Sequence, residues 1–461
     1  MQTSNRNSMI NDLTEGNVLR QMLAFAFPLI LANLLQTAYT LVDSVIVGRF
    51  VGAAGLSAVS GAGDVITMFT MMGMGFSMGG QVFISQLTGR KDYAKLNNAI
   101  GTLFTCMLIL ALLVMLPLLM MPDTILRWLN MPVESFTYGV RYLVVCGAGM
   151  VFIYGYNAVA SILRGMGDST RPLVFVAIAS VVNCVLDLVF IVVFHWDTLG
   201  AALATVLGQG VSFIASLVYL YRRREAFGFD FRFRSFIPQK DTLLTTMKVG
   251  VPLALQYASI IASMLYVTAL VNVYGVAASA VNGVAIKLEN VCRVVANSMS
   301  AAATALIAQS VGAGKLDRCK AAVRTVLVVS TIYCSVCALI IGFFPKAVFS
   351  VFTSDAAVLE WASAYALVGA VVCMGHALRN PYMGLVSGVG NATLALVVGI
   401  LDGVIGRIGL ALLFGRVLNG GLMGFWWGSA LAGFIPFFID GVYYYSGRWK
   451  KFNLLSAEKT E

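Results

Sequence analysis

Charge is scarce in this sequence. Only 11% of its 461 residues are Asp, Glu, Lys or Arg, against a hydrophobic fraction of 59%. A soluble domain carries about 25% charged and about 45–50% apolar residues, so there is too little polar surface here to cover a water-soluble fold. The mean hydropathy of +0.85 agrees. Histidine is rarer still: His195 and His376 are too few for a metal-enzyme centre. The 8 cysteines are scattered, mostly through apolar segments, which excludes a dense disulfide framework. Cys334-x-x-Cys337 lies inside an apolar run, and a lone pair cannot close a tetrahedral zinc site. Disorder and collagen-like repeats are excluded by the same composition. The polar N-terminus lacks the apolar stretch and cleavage site of a signal peptide, so the first span is expected to be retained.

What the chain has is long apolar runs. Twelve stretches reach the roughly 20 residues that a spanning helix needs: 22–47, 55–85, 97–121, 138–163, 171–195, 199–221, 249–274, 278–309, 321–344, 361–386, 393–415 and 421–446. With the N-terminus inside, the cytoplasmic segments collect Arg90, Lys91, Lys95, Arg164, Arg171, the run Arg222-Arg223-Arg224, Lys315, Arg318, Lys320 and Arg324, among others. The outer segments hold only Arg49, Arg127, Arg141, Lys346 and Arg416. The positive-inside rule therefore places both termini in the cytoplasm. It also accounts for the net charge of +10 without a nucleic-acid partner.

The two halves match at an offset of about 223 residues. Gln86-x-x-Gly89 returns as Gln309-x-x-Gly312, Gly165-x-Gly167-Asp168 as Gly388-x-Gly390-Asn391, Asn157 as Asn380, and Pro28 as Pro252, one position off. Six spans per half start both halves from the same side, which makes this a parallel repeat about an axis along the membrane normal. The expected fold is thus an all-α polytopic membrane protein, with twelve transmembrane helices in two six-helix lobes related by a pseudo-two-fold. A cytoplasmic N-terminal segment (1–21) precedes the first lobe (22–221). A basic linker (222–248), the second lobe (249–446) and a cytoplasmic tail (447–461) follow. Such a duplication suits alternating access and favours transport over a receptor or anchor.

Acids inside spans are costly, about 2.5–3.5 kcal/mol each at the bilayer centre. Asp43, Asp64, Asp187, Glu289, Asp402 and Asp440 stand there. Asn33, Gln36, Thr40 and Asp43 follow helical spacing and share one face of span 1, below Pro28, which permits a kink. Ser57, Ser60, Asp64 and Thr67 repeat that spacing in span 2. Asn183 and Asp187 stack four apart in span 5, while Asn157 and Thr205 stand in spans 4 and 6. These oxygens suit a hard cation, and two carboxylates in an apolar pocket suit a proton. Interhelical hydrogen bonding is the competing reading of the same stripes. Candidate lining residues for a substrate cavity are Asn33, Gln36, Tyr39, Asp64, Met68, Tyr156, Glu289 and Arg293. Met68 belongs to a methionine run that offers an adaptable apolar wall or simple packing. Glu289 and Arg293 are spaced for an ion pair on one helix face, and Asp402 has Arg379 and Arg407 as possible partners. No nucleophile–base or metal constellation suggests an enzyme, and no cofactor is expected.

Several segments together resemble the multidrug and toxic compound extrusion (MATE) transporters. They are Leu13-Thr14-Glu15-Gly16, Pro28, the run Leu41-Val42-Asp43-Ser44-Val45-Ile46-Val47-Gly48-Arg49, Arg164-Gly165-Met166-Gly167-Asp168, Asn183-Cys184-Val185-Leu186-Asp187 and Gln309-Ser310-Val311-Gly312-Ala313-Gly314. The resemblance covers nearly the whole chain. It implies an inner-membrane antiporter, expected here to act as a monomer among membrane lipids, in which Na⁺ or H⁺ entry drives efflux of small organic cations. In the prokaryotic branch with a first-lobe cation site, the family's ligands match Asp43, Asn183, Asp187 and Thr205, with Asn157 close by and Pro28 as the hinge of span 1. Another branch uses acids in spans 7 and 10, which contain none here. A lipid-linked oligosaccharide or lipid flippase of related architecture is the alternative. It would need a cationic cavity, for which Arg293, Arg379 and Arg407 are available but which the first-lobe acids oppose.

Overall fold

With no water in the hydrocarbon core, a spanning backbone must bond to itself, and this chain does so as helix. The computed structural model describes residues 11–129, 131–352, 356–452 and 454–455. Parts of the N-terminal segment (1–10) and of the tail (456–461) therefore lie outside the described residues. The first half consists of α1 (Val18–Phe50), α2 (Ala53–Arg90), α3 (Tyr93–Met120), the short α4 (Pro122–Trp128), α5 (Val133–Ala148), α6 (Met150–Gly165), α7 (Thr170–Asp187), α8 (Asp197–Arg222) and the short α9 (Arg224–Phe227). The second consists of α10 (Lys240–Asn272), α11 (Val276–Gly312), α12 (Leu316–Phe343), the short α13 (Pro345–Ser350), α14 (Ala356–Val389), α15 (Ala392–Ile400), α16 (Gly409–Leu412), α17 (Gly421–Ala432) and α18 (Ile435–Tyr445).

Ten of these stretches are long and apolar enough to cross a membrane, eleven if α5 and α6, bent by 46°, count as one span. The long, glycine- and serine-rich α2 completes the twelve positions read from the sequence. Among the described residues, two spans carry π-helical segments. A π-helical segment, Leu188–Val193, continues α7, and another, Leu401–Ile408, joins α15 to α16. A third, Leu413–Val417, follows α16.

The contacts divide the chain into two units. One contains Pro28–Ala254 together with the described residues up to Asp12; the other contains Leu13–Phe27 and everything from Leu255. The first ten residues of α1 thus pack with the second unit, and the first half of α10 packs with the first. In the first unit, Gly75 and Gly79 of α2 admit the backbone of α10, since a Cβ on Gly79 would lie 2.6 Å from Gly250 Cα. In the second unit, Leu13–Gly16 are held by the end of α11, α12 and the loop between them. Arg318 donates to the carbonyls of Gly16 and Leu13 and to Gln21 Oε1, Lys315 Nζ donates to Thr14 O, and Gln309 Oε1 accepts from Leu13 N.

The repeated glycine motif is a turn followed by a cap. Gly167 and Gly390 have φ of +87° and +85°, a conformation that favours glycine. The next residues serve as caps: Asp168 Oδ1 accepts from Thr170 N and Arg171 N, and Asn391 Oδ1 accepts from Leu394 N. The basic linker is docked rather than free. Its segment 229–237 lies on α3, where Asn98 Nδ2 donates to Ile237 O and Thr105 Oγ1 to Phe236 O. Phe104, Phe229, Phe231 and Phe236 cluster beside them.

Candidate cation-coupling site

Within the first unit, α1 supplies Asp43 and the end of α7 supplies Asp187. Both are buried, Asp187 completely (0% exposed) and Asp43 to 9%. Their carboxylates are close enough to interact electrostatically. Among the described residues neither forms an ion pair, and one oxygen of each, Asp43 Oδ1 and Asp187 Oδ1, has no hydrogen-bond partner. Asn183 stands one turn before Asp187. In the orientation that satisfies both of its neighbours, its amide nitrogen donates to Asp187 Oδ2 at 3.3 Å and its oxygen accepts from Thr205 N at 3.3 Å. The amide also lies 3.4 Å from Thr205 Oγ1. Asp43, Asn183, Asp187 and Thr205, expected as one ligand set, are therefore neighbours drawn from α1, α7 and α8. Asn157 is buried on α6 and has no hydrogen bond to them among the described residues.

The chemistry of this cluster follows from its charge. Two carboxylates share a site without a basic partner, so a bound cation or a proton is needed to relieve their repulsion. The two carboxylates and the Thr205 hydroxyl offer the oxygens that a hard cation requires. The nearby hydroxyls of α1 spend their hydrogens on their own helix, Thr40 on Gln36 O and Ser44 on Thr40 O, which leaves their oxygens as acceptors. The helix changes from α to π immediately after Asp187; such segments frequently mark functional positions.

The candidate cavity residues separate into three environments. Asn33, Gln36 and Asp64 are exposed, whereas Tyr39, Met68 and Tyr156 are half-buried. Asn33 and Gln36 thus share a face with Asp43 but not its burial. Tyr156 is tied by its hydroxyl to Pro172 O at 3.2 Å. Glu289 lies in the second unit and lines a cavity there. The expected Glu289–Arg293 pair is not formed: Glu289 Oε1 meets His376 Nε2 at 3.1 Å, and Arg293 bonds Asn290. A buried histidine on a neighbouring helix was closer than a flexible partner one turn away. Asp402 takes both of its expected partners, with Arg379 at 3.5 Å and Arg407 at 3.8 Å. Pro28 does not break α1, which runs through it as one helix, but the division between the two units falls at Phe27–Pro28.

The MatE family model matches the chain twice, over residues 28–189 and again over 252–411. The chain belongs to the MatE family. The double match repeats the internal duplication read from the sequence and starts each time at a proline, Pro28 and Pro252. Among curated MatE relatives, a probable multidrug resistance protein, YpnP of Bacillus subtilis (strain 168), is 28% identical over 307 residues, 67% of this chain and 68% of its own. The multidrug export protein MepA of Staphylococcus haemolyticus (strain JCSC1435) is 23% identical over 96% of each chain. Among solved structures, a multidrug resistance MATE family transporter of the MOP superfamily, described as outward-facing, superposes with a TM-score of 0.88 at 21% identity, covering 98% of this chain and 99% of that one. A MATE structure described as in the straight conformation gives 0.86 at 22% identity, covering 98% and 99%. These likenesses establish the MatE fold of the chain.

Proposed function

We propose that this MatE chain is a secondary active multidrug efflux antiporter of the inner (plasma) membrane. It exchanges inward-moving Na⁺ or H⁺ for amphipathic organic cations by alternating access, with both termini in the cytoplasm and without an enzymatic step. The names of its relatives support multidrug efflux. The observation that carries the coupling is the buried, unpaired Asp43–Asp187 couple with Asn183 and Thr205 beside it. When Na⁺ or a proton occupies the couple, the repulsion between the carboxylates is removed and α1 can settle against α7. When the ion leaves, the cluster is anionic and the acidic side of the lobe, with Asp64 exposed, attracts a cationic drug.

The energetics allow it. A tenfold gradient of either ion supplies about 1.4 kcal/mol, and each net charge moved adds about 2.3 kcal/mol per 100 mV. The test is ethidium efflux from vesicles holding the reconstituted chain, with Na⁺ and H⁺ gradients imposed separately. One of the two gradients is expected to drive efflux. Asp187→Asn should reduce the driven component at least tenfold while expression and melting stay as in the parent. If neither gradient moves any organic cation, the antiporter reading is wrong. Undiminished driven efflux in Asp187→Asn would move the coupling site elsewhere.

A further inference from the structure

The second unit holds a cluster that the coupling reading leaves unused. His376 and Arg379 of α14, Arg407 of the π-helical segment and Glu289 of α11 surround adjoining cavities, closed on another side by Trp426 and Ser429 of α17, with Asp402 behind the two arginines as their ion-pair partner. His376, Arg379, Asp402 and Arg407 are all at least nine-tenths buried. A guanidinium carries five N–H donors and keeps its proton, so its unspent donors are a direct measure of what the site can still bind. Arg379 spends one on Asp402 Oδ2 at 3.5 Å. Arg407 spends one on Ser429 Oγ at 3.3 Å and lies 3.8 Å from Asp402 Oδ1. The Nε atoms of both arginines are buried without a partner, as is His376 Nδ1.

The carboxylates around them do not consume the remainder. Asp402 is shared between two arginines, Glu289 is turned to His376, and Asp440 forms no ion pair among the described residues. Paired donors at fixed geometry match the two oxygens of a carboxylate or phosphate. The rest of the lining suits an apolar body. The Trp426 indole is fixed by donation to Asn282 Oδ1 at 3.1 Å, and Met264, Val267 and Val372 stand beside it.

We propose that this cavity binds the oxyanion end of an amphipathic ligand, a carboxylate or a phosphate, through Arg379 and Arg407, with the ligand's apolar part against Trp426. Its chemistry is opposite to that of the acidic cluster in the first unit, so a molecule bearing an anionic group is recognised by a different lobe from the coupling ion.

The test is equilibrium binding of tritiated 1-naphthoate to the purified full-length chain, with neutral 1-naphthamide as the isostere and short-chain phosphatidic acid as a lipid competitor. Saturable naphthoate binding is expected, at least tenfold tighter than naphthamide. Arg407→Gln and Arg379→Gln should each weaken it about tenfold. Displacement by phosphatidic acid would assign the site to a lipid headgroup, and failure to displace would assign it to a soluble carboxylate; both support the oxyanion site. Equal affinity for naphthoate and naphthamide, absence of saturable binding, or unaltered binding in well-folded arginine variants would overturn it. The naphthoate–naphthamide comparison needs no variant, so it stands even where an arginine substitution prevents folding. No ion gradient enters the measurement, so its failure is distinct from a failure of the antiporter reading.

Discussion

Gly101 is where the backbone of the linker approaches α3 too closely for a side chain. A Cβ there would stand 1.8 Å from Ser235 O, so alanine cannot be accommodated without lifting segment 229–237 off α3. We expect Gly101→Ala to accelerate tryptic cleavage at Arg232 and Arg234 several-fold in detergent-solubilised protein, with the spans remaining protected. Asp230 adds a pH dependence to the same dock. The Ser235 hydroxyl at 2.6 Å, followed by the Arg232 amide, Asn97 and the Arg232 charge, holds its carboxyl below the usual carboxylate range. A carboxyl lowered on folding contributes stability above its unfolded value, about 3.9 for Asp. That contribution is lost as pH falls through the lowered value. Hydrogen exchange in 229–237, corrected for intrinsic rate, should therefore rise below about pH 4 in the parent and show no such step in Asp230→Asn.

At the scale of the element, α1 and the π-helical segments are the informative pieces. α1 is uninterrupted at Pro28, yet its two parts pack with different units. A proline in mid-helix removes one backbone bond and permits bending, and here it stands where the packing partner changes. Pro28→Ala should restore that bond. The expected result is unchanged or slightly raised melting together with several-fold slower gradient-driven efflux; unchanged efflux would show that bending at Pro28 has no part in the cycle. The polar stripe of α1 was legible because helical spacing is a property of the chain. Which member would be buried was not, because burial of Asp43 rather than Asn33 depends on α7. The π segments were illegible for a related reason. Arg407 stands five positions after Asp402, which on an α-helix leaves them about 140° apart around the axis. A period-based reading could propose that pair from charge alone but could not derive its geometry.

For the molecule as a whole, the helical spans and their duplication were written in composition and periodicity, because lipid imposes the same demand on every span, whereas the MatE family was legible through the resemblance of particular segments. Much of the first-lobe cluster was legible too: Asp43, Asn183 and Asp187 are types that the hydrocarbon core otherwise rejects, while Thr205, a type common in spanning helices, was matched to them through the family resemblance. The tertiary pairings were not. His376 has no sequence relation to Glu289, and nothing in the linker's basic run announces its phenylalanine dock on α3. The hold of Arg318 on Leu13–Gly16 joins residues some three hundred positions apart.

An α-helix that acquires one residue too many can absorb it as a π turn, and the segment Leu401–Ile408 has the character of such an accommodated insertion. Each extra residue turns everything downstream by about 100°, so the face that α16 presents is set by a phase shift upstream of it. α17 is fitted to that phase at very short range: a Cβ on Gly428 would lie 2.4 Å from Ala411 N, and one on Gly424 would lie 2.3 Å from Phe414 O. Deleting a single residue from the π segment would bring Asp402 and Arg407 to α-helical neighbour spacing while rotating α16 out of register with these glycines. The irregular turn thus works as a ratchet tooth, and its removal would cost the second unit a helix interface rather than a charge.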